Sequence, residues 1–258
     1  MIGLTYLFIS LIFVIMMADL ILVGQCYTDP EKSDRTRRVL NKFTPDVLCL
    51  EGTQTLHDMV IECAGQFCDF LKEEQVKSHP RFEELRGIYN RGFGGYDALL
   101  RYAGPGFPLF LVDDPNNPIC KENEAELCRT IASFKGRPTS ERLKLALREA
   151  DNFIANKRSI LIDANNNYGR YHNISCDLLL KEYRQIMHSD NMSRDIFMEG
   201  ELRRIREEYL NHVILWIGNI SRLCEDADGL TLYSRIADLR PVRFALDEID
   251  WPEMKHTI

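Results

Sequence analysis

LILVGQCYTDPEKSDRTRRVLNKFTPDVLCLE, residues 20–51, decides the fold. Leu20-Ile21-Leu22-Val23 is a short apolar run closed by Gly24 and reads as a buried strand. A helix start follows: Thr28 and Glu31 have capping-box spacing, and Pro30 falls in the first turn, where its missing N–H costs nothing. That helix carries Val39, Leu40 and Phe43 and stops before Pro45. Asp46-Val47-Leu48-Cys49-Leu50-Glu51 is a second buried strand. Strand, helix and strand within about 30 residues make a βαβ unit, so the two strands are expected to run parallel.

The rest of the chain extends this pattern. Leu56, Met59, Val60, Cys63, Phe67 and Leu71 fall on one helical face. Residues 78–95 are polar and glycine-rich and read as a loop or short cap; Tyr96 to Tyr102 reads as a helix ended by Gly104-Pro105-Gly106. Leu109 to Val112 is a third buried strand, closed by Asp113-Asp114-Pro115. Helical patterns occupy 121–134 and 139–157, while Ser159–Ile162 fits a strand or a helix end equally. Residues 176–188 and 193–210 read as helices, the second with Met198, Leu202, Ile205 and Tyr209 in one stripe. His212 to Ile217 is a fourth strand ending at Gly218, and a helix near 230–239 and a strand at Val242–Leu246 close the chain. The fold class is therefore α/β, a largely parallel central sheet flanked by helices. Residues 18–258 are expected to form one domain, preceded by an apolar extension over 1–17.

Composition narrows the function classes. With 45% hydrophobic and 28% charged residues the chain resembles a soluble globular protein. A net charge of −7 argues against nucleic acid as partner, because phosphate binding needs a concentrated basic surface. Eight cysteines, at 26, 49, 63, 68, 120, 128, 176 and 224, show neither C-x-x-C nor zinc-finger spacing and read as buried free thiols suited to a reducing cytoplasm. The N-x-S triplets at Asn173, Asn191 and Asn219 carry no weight without a secretory signal. Residues 2–18 hold no charge, which suggests an anchor; about 17 residues is the lower limit for spanning a bilayer. No basic n-region precedes them, and Met16 or Met17 would also serve as a start. Cytoplasmic placement is the first expectation and membrane association the alternative.

In a parallel sheet, ligands bind where helix N-termini and loops gather, at the carboxyl ends of the strands. Those ends carry Gln25-Cys26-Tyr27, Glu51, Asp113-Asp114 and Asn219-Ile220-Ser221. A carboxylate directly after an apolar strand is partly desolvated, which suits Glu51 to acid–base work as well as to capping the next helix. Asp113 and Asp114 suit a hard cation, or simply a turn. Arg194-Asp195 reads as a helix start after Ser193, where a guanidinium could clamp a carboxylate or a substrate oxygen, or lie on the surface.

In their order and spacing these segments resemble the TraB family, which includes the pheromone-shutdown proteins and TIKI peptidases, with ChaN proteins and erythromycin esterases more distant. Gly24 and Gly218 stand in its two Gly-x-x-His motifs, Thr44-Pro45-Asp46 in its Arg-Pro-Asp place and Glu51 in the place of its glutamate. Arg194, Asp195, Met198 and Leu202 match its Arg-Asp-x-x-Met-x-x-x-Leu helix. The likeness covers roughly residues 18–246 and implies a TraB/ChaN-like fold with a metal-dependent hydrolase site. Both motif histidines are replaced, by Tyr27 and Ser221, and with them go the nitrogen ligands the resemblance implies. His57, His172, His188 and His212 lie away from the predicted strand carboxyl ends and read as structural.

The leading expectation is a pseudoenzyme: a polar pocket at the strand ends that binds a small-molecule or peptide ligand, the hydrolytic machinery lost. Glu51, Arg194 and Asp195 are its candidate catalytic or scaffold residues, and Gly24, Cys26, Tyr27, Asp113, Asp114, Gly218 and Ser221 its candidate binding residues. One alternative is an active hydrolase in which Glu51 and Asp113 or Asp114 hold Mn, Zn or Mg, or Glu51 acts as base without metal; Cys26 is a conceivable nucleophile, with no histidine placed to activate it. The other is a membrane-tethered regulator held through residues 2–18; a homodimer is compatible with each.

Overall fold

The computed structural model describes residues 19–26, 29–172, 181, 188–226 and 228–250. Its centre is a sheet of five parallel strands: β1 (Leu20–Gln25), β2 (Val47–Leu50), β3 (Leu109–Leu111), β4 (Ile214–Asn219) and β5 (Val242–Ala245), in the order β3-β2-β4-β1-β5. Along β1, β2 and β4 the buried positions are consecutive rather than alternating, because helices cover both faces of a parallel sheet. The expected βαβ unit is present, with α1 (Lys32–Phe43) as its crossover, but β4 lies between its two strands.

Two apolar layers sandwich the sheet. On one face Ile21, Val23, Leu48, Leu50, Leu215 and Ile217 meet Val39, Leu40 and Phe43 of α1, together with Leu99 and Ala103 of α4 (Phe82–Ala103). On the other, Leu20, Leu22, Val47, Cys49, Ile214 and Trp216 meet Met198, Leu202 and Ile205 of α7 (His188–Glu208), and Leu232 of α8 (Leu232–Arg235). A third cluster lies among the helices, where Phe70 and Leu71 of α2 (Gln54–Lys72) and Val76 of α3 (Glu74–Lys77) pack with Leu85, Leu143 and Ala146. The loop after β3 leads into α5 (Pro118–Phe134).

Several local expectations are corrected. Residues 82–95 are helix, not loop, and run into α4 without a break. Gly94 serves packing: a Cβ there would lie 2.6 Å from Ser33 Oγ of α1, so the bare backbone lets the two helices approach. Ser159–Ile162 is neither strand nor helix end but the middle of α6 (Thr139–His172), 34 residues and therefore roughly 50 Å long. Leu143 and Ala146 anchor one end of α6 in the helical cluster, and Tyr168 anchors the other beneath the sheet. Pro30 precedes α1, whose N-cap is Glu31 with no side-chain cap bond; Thr28 lies outside the described residues. The expected helix at 230–239 is two short pieces, α8 and a 3₁₀ turn at Ala237–Leu239. Most of the helix expected at 176–188 lies outside the described residues.

Candidate functional site

The strand order places a switch point between β1 and β4. The connection leaving β1 travels toward β2, and the connection leaving β4 travels toward β5, at the opposite edge. In doubly wound sheets the crevice at such a point is where ligands sit. Gly24 and Gly218 are paired in register there. The chain fills the space beside both glycines itself. A Cβ on Gly24 would lie 2.8 Å from Ile220 Cα; one on Gly218 would overlap the Trp216 ring and lie 2.6 Å from Glu51 Oε2. These glycines admit this chain's own side chains.

Glu51 follows β2, and its amide continues the ladder by donating to Ile217 O at 3.0 Å. Asp113 is set by the same extension, its amide donating to Gly52 O at 3.2 Å. Arg194 projects onto both. Its Nε donates to Asp113 Oδ1 at 2.9 Å, and its Nη2 to Asp113 Oδ2 at 2.5 Å and Glu51 Oε1 at 2.9 Å. Arg222, in the 3₁₀ turn Ile220–Leu223 after β4, donates through Nε to Glu51 Oε1 at 2.7 Å and through Nη1 to Asp195 Oδ1. The Asn219 amide donates to Glu51 Oε2 at 2.5 Å. Three carboxylates and two guanidiniums thus interlock, and Glu51, Arg222 and Asp195 are each no more than 3% exposed at the side chain. Burial works against the Arg194 charge, but the Asp113 bonds and nearby Glu51 raise its pKa above the usual arginine value, keeping it protonated.

Arg194 and Asp195 do not open a helix: α7 already includes His188, and both residues lie on its buried side with Met198, Leu202 and Ile205. The 3- and 4-residue spacing back from Met198 is the signal that identifies that side. Asn117 secures the first turns of α7, its Nδ2 donating to Asp190 O at 2.7 Å and Ser193 Oγ at 2.8 Å. Glu51 does not cap α2; Thr53 does, accepting from Leu56 N at 3.2 Å while donating to Glu124 Oε1 at 2.7 Å. Asp114 is a turn former, its Oδ1 accepting from Asn116 N at 2.9 Å, so the acidic pair divides between two tasks. Arg222 was absent from the sequence candidates. Its signal is a lone arginine within the apolar stretch that continues from β4 to Leu223.

Ser221 Oγ donates to Asn219 Oδ1 at 2.8 Å, which also accepts the Ser221 amide at 2.9 Å and so caps the 3₁₀ turn. Tyr27 lies outside the described residues. Cys26 is buried at the end of β1, and burial first, then Asp29 and Asp247, push its thiol up to about 12. It is a neutral thiol at physiological pH, not an activated nucleophile. In the native protein a thiol reagent is expected to label exposed Cys128 and spare Cys26, read by peptide mass spectrometry; equal labelling rates at the two would contradict this burial.

The donors present do not suit the divalent cation that the resemblance implies. Both Glu51 oxygens and both Asp113 oxygens accept from cationic or amide donors, and Ser221 Oγ is bonded to Asn219 Oδ1. Among the described residues no group of three or more His, Cys, Asp or Glu side chains could hold a metal ion. His57 contacts Tyr96, His172 contacts Asp247, and His212 Nδ1 lies 3.0 Å from Leu210 O at the amino end of β4. His188 opens α7. Among the described residues no helix is long and apolar enough to cross a membrane. No family model, curated protein or solved structure matches the chain.

Proposed function

We propose that this chain is a binding protein of the parallel α/β class, in which the hydrolase chemistry implied by its TraB resemblance has been lost. The observation that carries this reading is the saturation of Glu51: two guanidiniums and one backbone amide already take its oxygens. A general base must offer a lone pair to substrate or water, and a metal ligand must offer one to the cation. Glu51 instead joins β2, β4 and α7 at the carboxyl end of the sheet, where a small molecule or peptide would be recognised by the groups around this network. The membrane-tethered alternative depends on residues 2–18, which lie outside the described residues.

The test is metal analysis of the full chain, with general peptidase and esterase assays with and without Mn²⁺, Zn²⁺ and Mg²⁺, beside Glu51→Gln. The expected result is substoichiometric metal and no turnover above background in a folded sample. Stoichiometric metal, or turnover that Glu51→Gln abolishes, would overturn the reading.

A further inference from the structure

A second polar cluster fastens the far end of α6 beneath the carboxyl ends of β1 and β5. Tyr168 Oη donates to Asp29 Oδ2 at 2.8 Å and accepts from the Cys26 amide at 3.3 Å. Arg35 of α1 donates to the same Asp29 oxygen at 2.8 Å and to Asp250 Oδ2 at 2.8 Å; Glu31 and Arg38 complete that set, Glu31 with Arg35 and Arg38 with Asp250. One turn beyond Tyr168, at the last described residue of α6, His172 Nε2 lies 3.1 Å from both oxygens of Asp247, and Nδ1 lies 3.8 Å from Glu248. Both carboxylates belong to the 3₁₀ turn Leu246–Asp250 after β5.

We infer that His172 is a pH-sensitive latch: as an imidazolium between Asp247 and Glu248 it fastens the end of α6 to the turn after β5, and losing its proton loosens that end.

The charge distribution singles out this residue. Asp29 and Asp250 are paired with arginines that stay charged at every physiological pH, whereas His172 is the sole ion-pair partner of Asp247 among the described residues. Among the described residues, Arg243 of β5 also faces the latch and favours the Glu248 anion, while Lys32 lies by Asp29, with its pKa lowered by burial. Glu248 Oε2 accepts the Ala245 amide at 2.6 Å, which holds its carboxyl toward the sheet. Burial opposes the His172 charge, but hydrogen bonding and attraction to Asp247, then attraction to Glu248, outweigh it and raise its pKa. A raised histidine contributes stability that is complete below its unfolded value, about 6.5, and is lost as pH climbs through the folded one. Glu248 acts in the same sense: burial raises its pKa, so its ionisation also costs stability as pH rises.

The experiment is hydrogen exchange by mass spectrometry on the full chain from about pH 6 to about pH 8.5, with rates corrected for intrinsic exchange. Amides near the end of α6 are expected to lose protection several-fold across this range in the native protein, and His172→Gln is expected to show low protection there with a much smaller pH dependence. An NMR titration of the six histidines gives a second readout, with the His172 signal assigned through its loss in His172→Gln or through the shift in Asp247→Asn. The His172 midpoint should lie above the ordinary value and move down in Asp247→Asn. Parallel loss of protection in native protein and His172→Gln would overturn the latch. So would a His172 midpoint that Asp247→Asn leaves unmoved.

Discussion

Replacing Arg222 with methionine is expected to destabilise the protein by about 3–5 kcal/mol, lowering its melting temperature by roughly 10 °C or more. Arg222 is 2% exposed and links two carboxylates that water scarcely reaches, Asp195 and Glu51. Methionine fills much of the same volume, so the loss isolates the charge rather than a cavity. Removing one partner from a buried ionic network leaves the opposite charges desolvated and under-compensated, which costs far more than the net worth of the pair. Arg222→Met combined with Asp195→Asn should recover a substantial part of the loss, because the second change removes the isolated charge. Urea denaturation of the two single variants and the double variant gives the coupling directly. A loss under about 1 kcal/mol in Arg222→Met is the magnitude expected of a solvated pair and would contradict a buried network.

Gly218→Ala is expected to cost about 1–3 kcal/mol or more, unusually large for adding one methyl group. The added Cβ meets the Trp216 ring and Glu51 Oε2, and neither can retreat easily. Trp216 is fully buried against α7, and Glu51 is tied by Arg194, Arg222 and the Asn219 amide. The damage should therefore spread from packing into the ionic network. Gly92→Ala supplies the contrast. That glycine is exposed within α4 and has open space where a Cβ would go, so the same substitution should stabilise by about 0.5–1 kcal/mol. Similar outcomes at Gly92 and Gly218 in thermal denaturation would show that backbone propensity, not the close approach of Glu51 and Trp216, sets the effect at Gly218.

Both expectations concern scaffold. Four charged side chains that a sequence reading offers as machinery, Glu51, Asp113, Arg194 and Asp195, together with Arg222, consume one another's hydrogen-bonding capacity across β2, β4, α7 and the loop after β3. A buried carboxylate at this depth needs a source of positive charge. Arg194 and Arg222 supply it.

The strands that dominate the sheet were legible as uninterrupted apolar runs at residues 20–23, 47–50, 109–112 and 213–217; β1, β2 and β4 are covered on both faces, whereas β3, at the edge and expected to be buried, is only half-buried. Helix faces with clear 3- and 4-residue spacing were legible for the same reason: local geometry alone sets their period. Parallel connectivity then placed Glu51, Asp113 and Asn219 at one end of the sheet before any contact was known. Where the local signal conflicted with packing, it failed. Residues 82–95 look like a loop because glycine is a poor helix former, yet the close approach of α1 makes glycine the fitting residue there. The insertion of β4 between β1 and β2, the burial of Arg194 and the recruitment of Arg222 lay beyond a linear reading. Arg194 meets Glu51 across 143 residues of sequence and Arg222 meets it across 171, and no local periodicity reports such pairings. The sequence alone determined which segments are buried and which polar residues cap them; only the tertiary structure decided which charges meet, because that depends on the order of strands in the sheet.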